Sequence, residues 1–194
     1  MYLNANRLSY GEAREFGNYI NDIKLGLFQY PDTTTHSAPL LDLKLNLPVN
    51  AINTLYLTGI VAAPETVLVT EEIPSHTDSV VGIRFVNLSP GSNPVNIRLS
   101  TDTTWNLVSG LAYKSPSPFS NYPVVAAINS YTFQFRDAVT GVILKSYTLN
   151  GINKGTGLNT SANPWRYHNV TIVLIGAAGG TGADAQRTIL INNY

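Results

Sequence analysis

Leu8–Tyr19 reads LSYGEAREFGNY, and Leu111–Tyr122 reads LAYKSPSPFSNY. Leu8/Leu111, Tyr10/Tyr113, Phe16/Phe119, Asn18/Asn121 and Tyr19/Tyr122 recur in register. The likeness continues downstream in the same order. LFQYPD ending at Asp32 parallels TFQFRD ending at Asp137, and LKLN at Leu43–Asn46 parallels YTLN at Tyr147–Asn150. TLYLTG at Thr54–Gly59 then parallels TIVLIG at Thr171–Gly176, and TVLVT at Thr66–Thr70 parallels TILIN at Thr188–Asn192. Ordered blocks with gaps only between them are the signature of an internal repeat. The chain therefore reads as two tandem copies of one domain, residues 1–74 and 80–194, joined by a linker at 75–79. Leu8 is then equivalent to Leu111, and Phe28 to Phe133. Tyr10/Tyr113 and Tyr19/Tyr122 read as packing residues, because both copies keep them. Val80–Trp105 has no counterpart in the first copy, whose front is either amputated or completed by something else. Gly151–Asn169 (residues 151–169) is an insertion of the second copy alone.

Period-two alternation predicts strands in both copies. Leu41, Leu43, Leu45 and Leu47 alternate with Asp42, Lys44 and Asn46. Val81, Ile83 and Phe85 alternate with Gly82 and Arg84, and Val95, Ile97 and Leu99 with Asn96 and Arg98. Tyr131, Phe133 and Phe135 alternate with Thr132, Gln134 and Arg136, and Asp137–Gly141 reads as a hairpin loop. Such alternation implies half-buried antiparallel sheets. Short strands with turn signals between them predict an all-β chain of two tandem antiparallel β-sandwich domains.

Composition agrees. Of 194 residues only 12% are charged, against about one quarter in an ordinary soluble domain. Asn, Thr and Ser carry the polarity instead, and their side chains compete with helical backbone hydrogen bonds. Twelve basic residues balance 12 acidic ones, which removes the long-range attraction a nucleic-acid binder relies on. No cysteine is present, so disulfides, thiol nucleophiles and Cys-ligated metals are excluded. The longest apolar runs, such as Val170–Ala178, fall far short of the roughly 20 residues of a membrane-spanning helix. No signal peptide opens the sequence. Either the protein is intracellular or an export leader has been removed ahead of Met1.

No catalytic motif emerges, and the chain reads as a non-enzyme without cofactor or metal. Gly176–Gly182 (GAAGGTG) lacks both the spacing of a dinucleotide fingerprint and the Gly-Lys-Ser/Thr of a P-loop. Its counterpart Gly59–Glu65 (GIVAAPE) has one glycine, so a hairpin tip is the better account. His36, His76 and His168 have no metal-ligand spacing. The seven aspartates and five glutamates form no constellation, and Glu71-Glu72 reads as a solvated strand end. The aromatics outside the repeat are Trp105, Trp165 and Tyr167. Trp165, Arg166 and Tyr167 lie together in the insertion, in NPWRYHN, and form the candidate ligand site, since an exposed aromatic face beside Asn and Arg stacks on a sugar ring. The competing account has Trp165 folded back over the open end of the sandwich.

VGIRFVNLSPGSNPVNIR at Val81–Arg98 resembles the opening hairpin of a bacterial family known as domain of unknown function 4397. The shared features are a strand ending in an apolar-aromatic pair, a Ser-Pro turn, then Pro-Val and an alternating strand. Leu111–Tyr122, Tyr131–Phe135 and Thr171–Gly176 also look like that family, while the first copy departs from it at its missing front hairpin. The resemblance implies an exported, often lipid-anchored protein of the Gram-negative envelope, on the outer-membrane surface or in the periplasm, with immunoglobulin-like or transthyretin-like sandwiches. It carries over no catalytic residue. Asp32-Thr33-Thr34, Asp78-Ser79-Val80 and Asp102-Thr103-Thr104 resemble acceptor triplets for periplasmic O-glycosylation and support export. Three expectations follow: a non-catalytic envelope protein for adhesion or ligand presentation to a surface glycan or envelope protein, a carbohydrate-binding module using Trp165 and Tyr167, and a fimbria-like subunit completed by a partner strand at an unpaired sheet edge.

Overall fold

The computed structural model describes residues 8–17, 19–30, 38–155 and 162–193. The chain is all-β, and its one helical element among the described residues is a 3-10 turn, Gly182–Asp184. It divides into two units, Met1–Glu72 and Ile73–Tyr194.

In the first unit Asp22–Leu27 (β1) pairs antiparallel with Leu41–Asn46 (β2), and Asn53–Ile60 (β3) with Ala63–Thr70 (β4). The leucines of β2 alternate with Asp, Lys and Asn, and burial alternates with them. Among the described residues of this unit, Tyr56 is the one large apolar side chain that is buried. Tyr10, Phe16, Tyr19 and Tyr30 are exposed.

The second unit is a two-layer sandwich. Its strands are Val80–Leu88 (β5), Val95–Leu99 (β6), Val108–Leu111 (β7), Ser115–Pro116 (β8), Ser120–Pro123 (β9), Ser130–Asp137 (β10), Ile143–Asn150 (β11), Asn169–Ile175 (β12) and Arg187–Asn193 (β13). One sheet runs β11-β10-β6-β7, the other β13-β12-β5-β8, with β9 also pairing β5. Ile83 and Phe85 of β5 and Ile172 and Leu174 of β12 meet Ile97 of β6 and Phe133 and Phe135 of β10 in one buried cluster. The Phe85 ring stands edge-on to Phe133 at 5.1 Å and to Phe135 at 6.0 Å, and Tyr122 stands edge-on to Phe133 at 5.3 Å. Such pairs contribute about 0.5–1.5 kcal/mol each beyond the area they bury. Burial, helped by the neighbouring Tyr131 phenol, pushes the Tyr122 hydroxyl up to about 12. The fold thus favours the protonated phenol. That contribution is complete below the ordinary tyrosine value near 10 and is lost as pH climbs from there through about 12. Denaturant titrations are expected to give a lower stability at about pH 11.5 than at about pH 9, and a smaller difference in Tyr122→Phe.

A buried turn joins the two layers at the end of β5. Asn87 Nδ2 donates to Leu111 O at 3.3 Å and to Ser92 Oγ at 3.2 Å, while its Oδ1 accepts the Ser89 amide at 3.1 Å. Ser89 Oγ donates to Gly176 O at 2.6 Å and accepts Gln186 Nε2 at 2.8 Å. The Ala178 amide reaches Pro90 O at 3.0 Å. The glycine-rich β12–β13 connection therefore clamps the Ser-Pro turn. Gly176 has φ 89°, and a Cβ there would lie 2.3 Å from Ala185 O, so only glycine fits.

Two expectations need correction. First, the sheets are not antiparallel throughout: β12 pairs β5 in parallel, Ile172 opposite Phe85. Both strands are buried on both faces, so Gly82 and Arg84, which alternation assigns to solvent, lie inside. Arg84 is accommodated by Nε donating to Thr171 Oγ1 at 2.8 Å and by its guanidinium standing 4.8 Å over the Phe119 ring. Second, the front half of the repeat does not superpose. Leu111 is buried at the end of β7, whereas Leu8 is exposed and outside any strand. Leu43 and Leu45 pair with Leu25 and Ile23, while their counterparts Tyr147 and Leu149 pair with Phe133 and Tyr131. The position matching Phe133 is thus Leu25, and Phe28 falls beyond β1. Tyr122 packs in the core, but Tyr19 and Tyr10 are exposed. The later blocks fall on two antiparallel hairpins of like register: Thr54 faces Val69 as Thr171 faces Ile191, and Leu55 faces Leu68 as Ile172 faces Leu190.

Candidate functional site

The loop from β6 to β7 displays Trp105, 72% exposed. Its backbone is fixed from both sides. Asp102 Oδ1 accepts the amides of Thr104 at 2.8 Å and Trp105 at 3.1 Å. These bonds, with a smaller pull from Arg98, hold the Asp102 carboxyl below the usual carboxylate range. Arg98 Nη1 donates to Thr103 O at 2.6 Å, and its Nε and Nη2 close on Asn106 Oδ1 at 3.1 and 2.9 Å. A planar guanidinium fork of this kind orders a loop more firmly than a flexible ammonium does.

Arg98 lies on the outer face of its sheet, since its neighbour Ile97 is in the core, and it sits opposite Gln134 on β10. Gln134 Oε1 accepts Nε and Nη2 of Arg136 at 3.0 and 2.7 Å. Beside them Thr132 and Thr148 pair their hydroxyls at 3.0 Å. A polar sheet face of amide, guanidinium and hydroxyl groups thus begins where the Trp105 loop is anchored. An aromatic face next to such groups suits a ligand with one apolar side and many hydroxyls. Sequence alone had a signal for it: Asp102-Thr103-Thr104-Trp105 is an Asx-turn followed by a large aromatic in a polar loop.

In the insertion Trp165 and Arg166 are partly buried and Tyr167 is exposed. Asn163 organises it, with Nδ2 donating to Ile152 O at 2.8 Å and to Lys154 O, and Oδ1 accepting the amides of Trp165 and Arg166 at 2.8 and 3.1 Å. Trp165 packs against the core and donates Nε1 to Asn150 O at 2.8 Å. That contact takes part of its large apolar face out of water. Arg166 Nε is buried and finds no hydrogen-bond partner. Tyr167 turns outward, 52% exposed, on a left-handed backbone at φ 67°.

His76 Nε2 lies 2.8 Å from Asn169 Oδ1, and Asn169 Nδ2 donates to Pro74 O at 2.8 Å. His76 is therefore a clasp for the segment preceding β5. His168 is exposed, and His36 lies outside the described residues. The Glu71 amide continues the β3–β4 ladder at Ile52 O. Of the acceptor-like triplets, Thr103 is exposed, Ser79 donates its hydroxyl to Val124 O at 2.6 Å, and Asp32–Thr34 fall outside the described residues. Among the described residues no cluster of His, Asp and Glu suits a metal ion, and no helix is long and apolar enough to cross a membrane.

No protein-family model matches the chain, and no curated protein is significantly similar to it. The fold and the display loop define it as an all-β sandwich protein with an exposed, braced tryptophan.

Proposed function

We propose that the chain is a non-catalytic ligand-binding module of a bacterial cell envelope, serving adhesion to surface glycans, with Trp105 as its contact residue. The observation that carries this is the bracing of an exposed tryptophan by Asp102 and Arg98 beside a polar sheet face. A pre-ordered aromatic loses little conformational freedom on binding. Export to the envelope, a lipid anchor and an immunoglobulin-like or transthyretin-like topology are supported by the resemblance to the domain of unknown function 4397 family. A glycan array is the test. Trp105→Ala is expected to weaken binding at least about tenfold, roughly 1.4 kcal/mol, without changing the melting temperature, and Trp165→Phe to leave binding intact. Binding that depends on Tyr167 and ignores Trp105 would move the site back to the insertion.

A second function is favoured by the first unit, a subunit completed by a strand from a partner, as in fimbria-like assemblies. Its two ribbons bury a single large apolar side chain among the described residues, and isolated two-stranded ribbons are marginal in water.

A further inference from the structure

The β3–β4 and β12–β13 ribbons pair residue for residue alike, and each reaches its turn through a glycine in the left-handed region, Gly59 at φ 84° and Gly176 at φ 89°. In the second unit the outer edge of β12 is covered. There β5 runs parallel to it from Gly82 opposite Asn169 to Leu88 opposite Ile175. The Gly82 amide donates to His168 O at 2.9 Å, and Ser89 Oγ ends the contact on Gly176 O.

In the first unit β4 is the sheet neighbour of β3, and no strand pairs the opposite edge among the described residues. The Glu71 amide donates to Ile52 O at 2.8 Å, which sets the antiparallel alternation. Backbone groups of Thr54, Tyr56 and Thr58 turn toward β4, and those of Asn53, Leu55, Leu57 and Gly59 turn away from it. The latter match Val170, Ile172, Leu174 and Gly176, the residues that meet β5 and its Ser-Pro turn. Side-chain burial records the difference: Leu174 is 0% exposed and its counterpart Leu57 is 44% exposed. An open edge beside uncovered apolar residues is a template for strand addition.

We infer that the outer edge of β3 accepts a strand from another polypeptide, running parallel to β3 and carrying the chemistry of Val80–Leu88. The incoming strand is mostly apolar, suited to burial on both faces, and ends in a Ser-Pro turn that meets Gly59. The chain's own β5 is not the donor, because β12 takes one of its edges and β8 and β9 take the other. This rests on the partner-completed function above and specifies its direction, register and sequence character.

The probe is a synthetic peptide with the sequence of residues 80–90, VVGIRFVNLSP, bearing a lysine tail for solubility, added to the full chain. Hydrogen exchange followed by NMR is expected to slow at least about tenfold at the Leu55 and Leu57 amides. The Thr54 and Tyr56 amides, directed at β4, are expected to change little. A peptide N-methylated at alternate residues cannot form the ladder and is expected to give no protection, which tests the contact without altering the protein. Leu57→Pro removes an amide turned away from β4, so it is expected to keep the β3–β4 pairing and abolish protection. Protection equal with a scrambled peptide, no protection at all, or full protection before any peptide is added each overturns the inference. Light scattering separates it from the function it rests on. Concentration-dependent assembly without peptide protection removes the parallel acceptor edge alone, and peptide protection of a strict monomer removes the subunit function alone.

Discussion

Phe133→Ala is expected to lower the stability of the second unit by about 3–5 kcal/mol, the cost of emptying an aromatic site in a packed core. Phe133 is fully buried and touches both layers: its ring meets Phe85 of the facing sheet at 5.1 Å and Tyr122 at 5.3 Å. Neither neighbour can collapse into the space, because Phe85 also packs edge-on against Phe135 and Tyr122 against Tyr131 at 5.5 Å. Phe28→Ala offers the internal control. If the two phenylalanines held equivalent places, both substitutions would cost alike. Phe28 lies beyond the end of β1 and is only partly buried, so its loss is expected to cost the first unit far less than Phe133→Ala costs the second. Equal losses at the two sites would refute the register described above.

The second large effect is expected at Asn87. Asn87→Leu conserves volume but leaves the Ser89 amide and the Leu111 carbonyl without the partner they have now, in a place where Asn87 and Ser89 are 0% exposed. An orphaned buried polar group costs about 1–3 kcal/mol, so a loss near 2–5 kcal/mol is expected. The turn that Asn87 supports also carries the bond from Ser89 to Gly176, so amide exchange at the β12–β13 connection is expected to quicken in the same variant. Asn87→Asp keeps an acceptor for the Ser89 amide but buries a carboxylate against the Leu111 carbonyl, so it is expected to cost at least as much as Asn87→Leu. A Leu variant as stable as the parent would show that the turn is held by Pro90 and the strands alone.

Strand positions were legible in the sequence wherever one face of a strand meets water. The leucines of β2 and the alternation of β6 and β10 record a solvent face and a core face directly. The parallel β5–β12 pair was less legible, since Arg84 reads as a solvent residue until Thr171 and Phe119 are seen to receive it. Of the sequence repeat, the later blocks fall on the β3–β4 and β12–β13 hairpins, whose pairing registers run alike. Its front half misaligned by matching the Asp-ended LFQYPD and TFQFRD blocks, although cross-strand pairing puts Leu25 where Phe133 sits. Of the candidate ligand residues, Trp165 was named in the sequence, and it packs partly buried against the core. Trp105 was noticed but assigned no role.

Composition and periodicity determined the all-β class, because scarce charge with abundant Asn, Thr and Ser discourages helices, and a two-residue period admits only a strand that separates water from a core. Those are local properties, fixed by each residue and its neighbours. Which tryptophan faces solvent, which edge of a ribbon lies open and whether two strands run parallel depend on contacts between residues far apart in the chain. Trp165 is drawn inward by Asn150 and the core, and Trp105 is held outward by Asp102 and Arg98. Only the folded arrangement decided between them.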